Sequence, residues 1–469
     1  MTRRRGADMS NRKPWRRSAR TADAVGSLRD WVRRHEPGRD EPAAPEEPPI
    51  PRDLLDLLRR LGVALIGAVE TTGRVQLLLE ELAHRYSADG VHFIVLPTAV
   101  FVRVQAADGG SAVDLLDATV DTLRLDQIAD LYRLIDRIKR DAPPPAQATA
   151  DLDRILHSPP PTAVWLMLLG NVVLTVGLGL MLNPSPRSLI GYVVIGLAVQ
   201  LLIMLAYRIR LLALALPVAA AATVTLLAFG LPWALSGSNP TELLIPGVAG
   251  LLPGAMLTNG TIELATGSMI AGASRYVYGI NVLFLLAFGI LIGLQILGPG
   301  ALANHVVHYP KLGWWAPLIG VLLIGLGYSW RSSAPPNSVP WLLLVLYATY
   351  AAQTLGSLRT GPLGAFLGGL VAVPAAYLVQ RSAKAPPTQV LFLPAFWMLV
   401  PGGIGLTGVS DLITRSDPNG LHIITTTLLT IMSIALGVMV GSGLVTARRP
   451  HLTPMLDKLL PQDDSAHDG

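Results

Sequence analysis

Hydrophobic and polar positions divide this chain into two different materials. From about residue 162 to 447, apolar runs alternate with short polar breaks, whereas the first 155 residues or so mix charged and apolar positions. An apolar run of roughly 20 residues is the length that crosses about 30 Å of hydrocarbon as a helix. Ten such spans are predicted, at about 162–182, 188–207, 211–235, 242–265, 275–298, 314–330, 339–355, 361–380, 389–410 and 421–446. The even number puts both termini on one side. A cytoplasmic N-terminus places Arg208, Arg210, Arg275, Arg331, Arg381, Lys384, Arg448 and Arg449 inside, against Arg187, Lys311, Arg359 and Arg415 outside. That bias predicts cytoplasmic N- and C-termini in a multi-pass protein of the plasma (inner) membrane.

The first part has the periods of a small folded domain. Leu54, Leu57, Leu58 and Leu61 share one helix face; after Gly67, Thr71 or Thr72 is placed to cap a second helix with Val75, Leu78, Leu79 and Leu82 on its stripe. Beyond Asp89-Gly90 the period falls to two. Residues 91–96 and 100–104, joined by Pro97-Thr98, predict a hairpin, with a third strand near 112–116 and a helix from 126 that ends at Asp141. The expected fold is therefore an all-α polytopic membrane protein with a small cytoplasmic α+β domain at 52–145. Residues 146–161 are expected to be a linker or amphipathic helix, and 448–469 a solvated cytoplasmic tail.

Composition supports the bilayer: 51% of residues are hydrophobic and only 15% charged. The net charge of +5 raises nucleic acid as a partner, but the membrane accounts for it and no nucleic-acid partner is expected. The arginine-rich first 35 residues have no apolar core behind them, so a cleaved signal peptide is not expected, and residues 36–51, with six prolines and five acidic residues, read as a linker. The chain has no cysteine, which excludes disulfides and thiolate chemistry. Glu70, Thr71, Arg74, His84 and His92 are the polar candidates of the soluble domain, with no nucleophile–base pair or phosphate loop among them. A regulatory or gating domain is expected rather than an enzyme.

The most informative stretch lies in the fourth span, where Pro253-Gly254 breaks an apolar run that also carries Thr258, Asn259 and Glu263. Broken, polar segments at membrane depth survive mainly where they line a cavity or pathway. The pattern recurs at a constant offset in the ninth span: Pro253-Gly254 matches Pro401-Gly402, Gly260 matches Gly408 and Glu263 matches Asp411. The two copies define five-span modules at 162–298 and 299–447. Five is odd, so the modules are expected to be inverted repeats, an arrangement that puts the binding site of a secondary transporter near the midplane on broken helices.

On that reading Pro253, Gly254, Thr258, Asn259, Pro401, Gly402, Gly403 and Thr407 line the substrate path. Each carboxylate, about ten residues past its break, is about 15 Å further along a helix. Glu263 then faces the cytoplasmic mouth and Asp411 the outer one, as proton sites or gates. Helix-end charges in water or headgroups are the plainer alternative for both, and a packing kink the plainer one for the Pro-Gly pairs. Asn171, Gln200, Asn281, Gln295 and Gln353 read as interhelical hydrogen bonds. His305 and His308 lack a further acidic ligand, so no metal and no cofactor is expected.

Taken in order, these segments resemble the threonine/serine exporter (ThrE) family over about residues 52 to 447. Residues 67–75, Gly-Ala-Val-Glu-Thr-Thr-Gly-Arg-Val, are similar to the family's opening segment, and residues 93–102 to its strand-turn-strand, with Ala99 where glycine is common. Leu252-Pro253-Gly254 with Asn259 and Glu263 resembles the motif of the first module, and Leu399-Val400-Pro401-Gly402 that of the second. The resemblance implies export of small hydrophilic amino acids, foremost L-threonine and L-serine, driven by the proton motive force. Its implied partners are an amino-acid substrate, protons as the coupling ion and the lipid bilayer; a homo-oligomer is compatible with it. Export of small dicarboxylates such as succinate is the alternative within transport. A membrane receptor or an intramembrane enzyme using the N-terminal domain for recognition is the alternative outside it.

Overall fold

In the computed structural model the described residues are 51–88, 90–105, 111–117, 122–235, 240–298, 311–335, 337–382, 384–399 and 419–446. The part expected from the sequence to be soluble begins with α1 (Arg52–Gly67) and α2 (Thr72–Arg85), followed by strands β1 (Val91–Leu96), β2 (Ala99–Gln105) and β3 (Ser111–Asp117). The strands form an antiparallel meander in the order β1-β2-β3, in which Phe93 pairs with Val102 and Val95 with Val100. Alternation puts Val91, Phe93, Val95, Val100, Val102 and Val104 on the buried face. The leucine stripes of α1 and α2 pack there, and Gly62 lets α1 approach: a Cβ at that position would lie 3.0 Å from Leu79 and 3.1 Å from Val100.

Helices α3 (Leu125–Asp141) and α4 (Pro145–Leu156) complete this layer. The residues expected to be a linker or amphipathic helix thus form α4, which buries Ala148 and Leu152 and is tied to α1 and α3 by the ion pairs Arg60–Asp153 (2.9 Å) and Arg137–Asp151 (2.7 Å). This layer of helices and strands extends to Leu156.

The apolar half continues with α5 (Val164–Met181), α6 (Ser188–Ala206), α7 (Arg210–Leu214), α8 (Leu216–Gly230) and α9 (Pro232–Leu235). Then come α10 (Thr241–Val248), a 3-10 turn over Ala249–Leu251, α11 (Gly254–Ala265) and α12 (Met269–Leu297). The remaining helices are α13 (Ala316–Arg331), α14 (Val339–Ser357), α15 (Gly361–Gln380), α16 (Thr388–Met398) and α17 (Asn419–Thr446). Among the described residues six helices are long and apolar enough to cross a membrane: α5, α6, α12, α14, α15 and residues 425–445 of α17. The pair α10–α11 reaches that length only across a 63° bend, and α8, α13 and α16 are shorter apolar helices. The predicted span 211–235 is not one helix. Pro217 and Pro232 sit in the first turns of α8 and α9, where a proline fits, and split the run into three. The second Pro-Gly motif, with Pro401, Gly402, Gly403, Thr407 and Asp411, lies outside the described residues, as do His305 and His308.

Glycines set the tightest helix contacts. On α5, a Cβ at Gly170 would come within 2.9 Å of the Gly327 carbonyl of α13, and one at Gly177 within 2.9 Å of the Gly320 carbonyl. The early glycine of one helix meets the late glycine of the other, so α5 and α13 run antiparallel with their backbones in contact. On α12, a Cβ at Gly289 would collide with the Val218 carbonyl of α8, and one at Gly293 would lie 3.1 Å from that of Ala222. Shifting every number by 148, the spacing of Pro253 and Pro401, gives the next contacts: Gly437 against Phe366 and Gly441 against Leu370, on α17 and α15.

Because the obstructing atoms are backbone, Gly177→Leu is expected to lower the melting temperature of the detergent-solubilised protein, by overpacking worth about 1–3 kcal/mol or more. Gly443→Leu, with nothing within 4 Å of its Cβ position, should leave it nearly unchanged. Equal melting temperatures for both variants would contradict the α5–α13 contact.

Candidate functional site

The bend at Pro253-Gly254 aims α11 at the soluble domain. Pro253 occupies the N-cap of α11, and Gly254 begins the helix buried in the bundle. One side of α11 then carries Thr258, Asn259 and Glu263, all buried, and ends at Gly267, whose φ of +86° turns the chain back into α12. Gly260 and Gly272 allow the two helices to touch, a Cβ on either lying within 3.0 Å of the other's carbonyl. This close approach brings Arg275 of α12 level with Glu263.

The soluble domain contributes the turn between α1 and α2. Its backbone closes α1 with two bonds, Val69 N–H to Ile66 O (3.0 Å) and Glu70 N–H to Leu65 O (3.3 Å), the pairing of a Schellman motif. That motif needs a left-handed residue, and Val69 supplies it with φ 64° where glycine is usual. A β-branched residue in this conformation is strained and is held there only by its surroundings. Those surroundings are the membrane helices: Asn259 Nδ2 donates to the Val69 carbonyl (3.0 Å), and Arg275 Nη2 donates to the Glu70 carbonyl (3.1 Å).

Glu263 completes the clasp. Thr71 stands at the N-cap of α2, but its side chain makes no capping bond; instead Glu263 Oε1 accepts the Thr72 N–H at 2.8 Å. The first turn of a helix presents unpaired N–H groups and a partial positive charge, so a carboxylate there is stabilised. Its second oxygen lies 3.1 Å from Arg275 Nε, an ion pair with side chains 0% and 7% exposed. The N-terminus of a soluble helix is therefore capped by a fully buried carboxylate of the membrane half.

Behind the clasp sits a second buried carboxylate. Glu70 takes a hydrogen bond from the Tyr132 hydroxyl of α3, and burial raises its pKa, opposed by Arg74, Tyr132, the Thr71 backbone and Arg275. Burial and the adjacent Glu70 likewise push the Tyr132 phenol well above its ordinary value. Of the candidates named from sequence, the structure brings together Glu70, Thr71, Arg74, Asn259 and Glu263. His84 and His92 are exposed and elsewhere. Asn171 makes an interhelical bond to the Gly196 carbonyl (3.2 Å), while the buried Thr258 hydroxyl and the Gln353 side-chain oxygen have no partner among the described residues. Sequence reasoning missed Val69, Tyr132 and the pairing role of Arg275. Among the described residues no group of three or more acidic or histidine side chains is placed to hold a metal.

Removing one member of a buried ion pair typically costs about 3–5 kcal/mol. Glu263→Ala is accordingly expected to speed hydrogen exchange of the amides from 69 to 73, and Glu263→Gln, which keeps an acceptor for the Thr72 N–H, to do so less. Identical exchange in wild type and Glu263→Ala would show that the carboxylate does not hold the turn.

The model of the family described as "Putative threonine/serine exporter" matches residues 56–297, which take in most of the N-terminal layer, the clasp and the bent α10–α11 pair. A "Probable threonine/serine exporter" of Mycobacterium tuberculosis is 24% identical over 246 residues, 52% of this chain and 46% of that protein. "Pheromone-regulated membrane protein 10" of Eremothecium gossypii is 28% identical over 163 residues, covering 33% of this chain and 21% of its own length. Its namesake from Candida glabrata is 24% identical over 214 residues, 41% of this chain and 26% of that one. The chain thus spans less than half the length of these curated relatives, and no solved structure matches it. With apolar helices of membrane-crossing length and a family match over half its residues, this multi-pass membrane protein belongs to the threonine/serine exporter family.

Proposed function

We propose that the protein is a secondary exporter of small hydrophilic amino acids, foremost L-threonine and L-serine, driven by the proton motive force across the plasma membrane. One observation carries this reading: an apolar run is bent at Pro253-Gly254, and its second half is held to the N-terminal domain through Asn259 and Glu263, with Arg275 of α12 beside them. A bundle serving only as an anchor has no use for a bent span with a buried carboxylate, whereas a carrier needs an element with two arrangements. The name of the Mycobacterium tuberculosis relative supports the substrate class.

Ten spans in two inverted five-helix modules, with both termini cytoplasmic, are part of the same reading. The antiparallel contact of α5 with α13, the first helices of the two modules, supports inversion. So does the recurrence of the α8–α12 glycine contacts in α15–α17 after 148 residues. In the cycle we infer, Pro253, Gly254, Thr258 and Asn259 border the path with their counterparts Pro401, Gly402, Gly403 and Thr407. Glu263 acts as the cytoplasmic gate: a proton on it weakens the pair with Arg275 and frees the turn, and Asp411 serves the outer mouth. The soluble domain, as the other half of the clasp, is the moving part of that gate.

Gradient-energised uptake of labelled threonine, serine or succinate into inverted vesicles, whose lumen corresponds to the outside, tests the reading. Gradient-dependent movement of threonine or serine is expected, with Glu263→Gln lowering the rate at least tenfold and flattening its pH profile. Preference for succinate would overturn the substrate class. Gradient-independent movement, or an unaltered pH profile in both Glu263→Gln and Asp411→Asn, would overturn the proton role.

A further inference from the structure

A second guanidinium, half-buried, lies against the 3-10 turn that precedes the break. Arg331 is the last residue of α13, and its backbone is set against α5 at Gly170, six residues or about 9 Å into that helix. Arginines at the ends of membrane helices ordinarily extend toward headgroups and water. This one instead packs on the turn between α10 and α11: a Cβ on Gly250, in the 3-10 turn before Pro253, would be 3.0 Å from Nη1 and 3.3 Å from Nη2. The titratable neighbours acting on it are the phenols of Tyr328 and Tyr207, and no carboxylate among the described residues pairs with it. Arg275, by contrast, is neutralised by Glu263.

The planar fork of donors on a guanidinium matches a carboxylate in two parallel hydrogen bonds. Gly250, having no side chain, lets the guanidinium come this close to the turn, into the space a Cβ would need. The position is also asymmetric in the fold. It joins α13 of the second module to the break of the first, and the residue after it, Ser332, accepts the Leu125 N–H of the soluble domain (2.9 Å). From these placements we propose that Arg331 is the anchor for the carboxylate group of the transported solute, held at the broken turn over Gly250 and beneath the soluble domain. The inference rests on the transport reading above and names the group of the substrate that the protein recognises. It accommodates an amino acid or a dicarboxylate and excludes an amine or alcohol lacking a carboxylate.

The test is calorimetric binding to the purified full-length protein in detergent, with L-threonine, L-serine and succinate as probes and L-threoninol as the probe without a carboxylate. At least one carboxylate probe should bind the wild type, and threoninol should bind at least tenfold more weakly. Arg331→Gln should weaken the carboxylate probe at least tenfold, with Arg331→Lys in between. Gly250→Ala keeps the charge but places a methyl against the fork, and should also weaken binding, which covers a failure of Arg331→Gln to fold. Equal affinity for threonine and threoninol, unchanged affinity in Arg331→Gln or Gly250→Ala, or no binding of any carboxylate probe would overturn the assignment. Vesicle transport separates the two claims. Carboxylate binding without gradient-driven export leaves the anchor standing and removes the export reading, whereas export by Arg331→Gln with an unchanged KM does the reverse.

Discussion

A carboxylate with no access to water has to be matched by charge and hydrogen bonds, and Glu263 is matched from two directions at once. Arg275, next to it on the neighbouring membrane helix, supplies the charge. The first N–H of α2, nearly two hundred residues earlier in the chain, supplies the bond. Neither half of the protein satisfies this group alone. The soluble domain is therefore part of the membrane bundle's electrostatics, and the strained left-handed Val69 marks the place where the two are held together.

The elements around that clasp were legible in the sequence to very different degrees. The leucine stripes of α1 and α2 and the alternation of β1 and β2 could be read because each buries one face, and burial imposes its period. The break at Pro253-Gly254 could be read because a proline-glycine pair is conspicuous in hydrocarbon. What Asn259 and Glu263 touch could not be read, since their partners are backbone groups of Val69 and Thr72, which carry no side-chain signal. Val69 itself is misleading, because valine disfavours the conformation it adopts. Tyr132 was hidden as one apolar position in the stripe of α3. The glycines 170, 177, 320 and 327 lay in full view, but counting spans by length treats every small residue in an apolar run alike. The prolines at 217 and 232 had the opposite effect and divided a run that length alone joined.

The membrane half follows a different logic from the soluble one. Water drives the burial of leucine in the α1–α2 layer, but lipid is as apolar as leucine, so helices in a bilayer associate where backbones can approach closely. Glycines permit that at α5–α13, α8–α12 and α15–α17. A bundle held by such seams resists local change, whereas the clasp is kept by a few polar contacts that can be exchanged. Rigid seams around one exchangeable element are what the proposed gating cycle requires.

Whether the clasp opens during transport can be measured directly, because the chain has no native cysteine. A Cβ at Gly73 would lie 3.8 Å from Ser268 Oγ, so the double variant Gly73→Cys, Ser268→Cys places a disulfide across the junction of α2 and the α11–α12 turn. Oxidation of this variant in vesicles should stop gradient-driven export, and reduction should restore it. Export at the full rate with the cross-link in place would contradict a moving clasp.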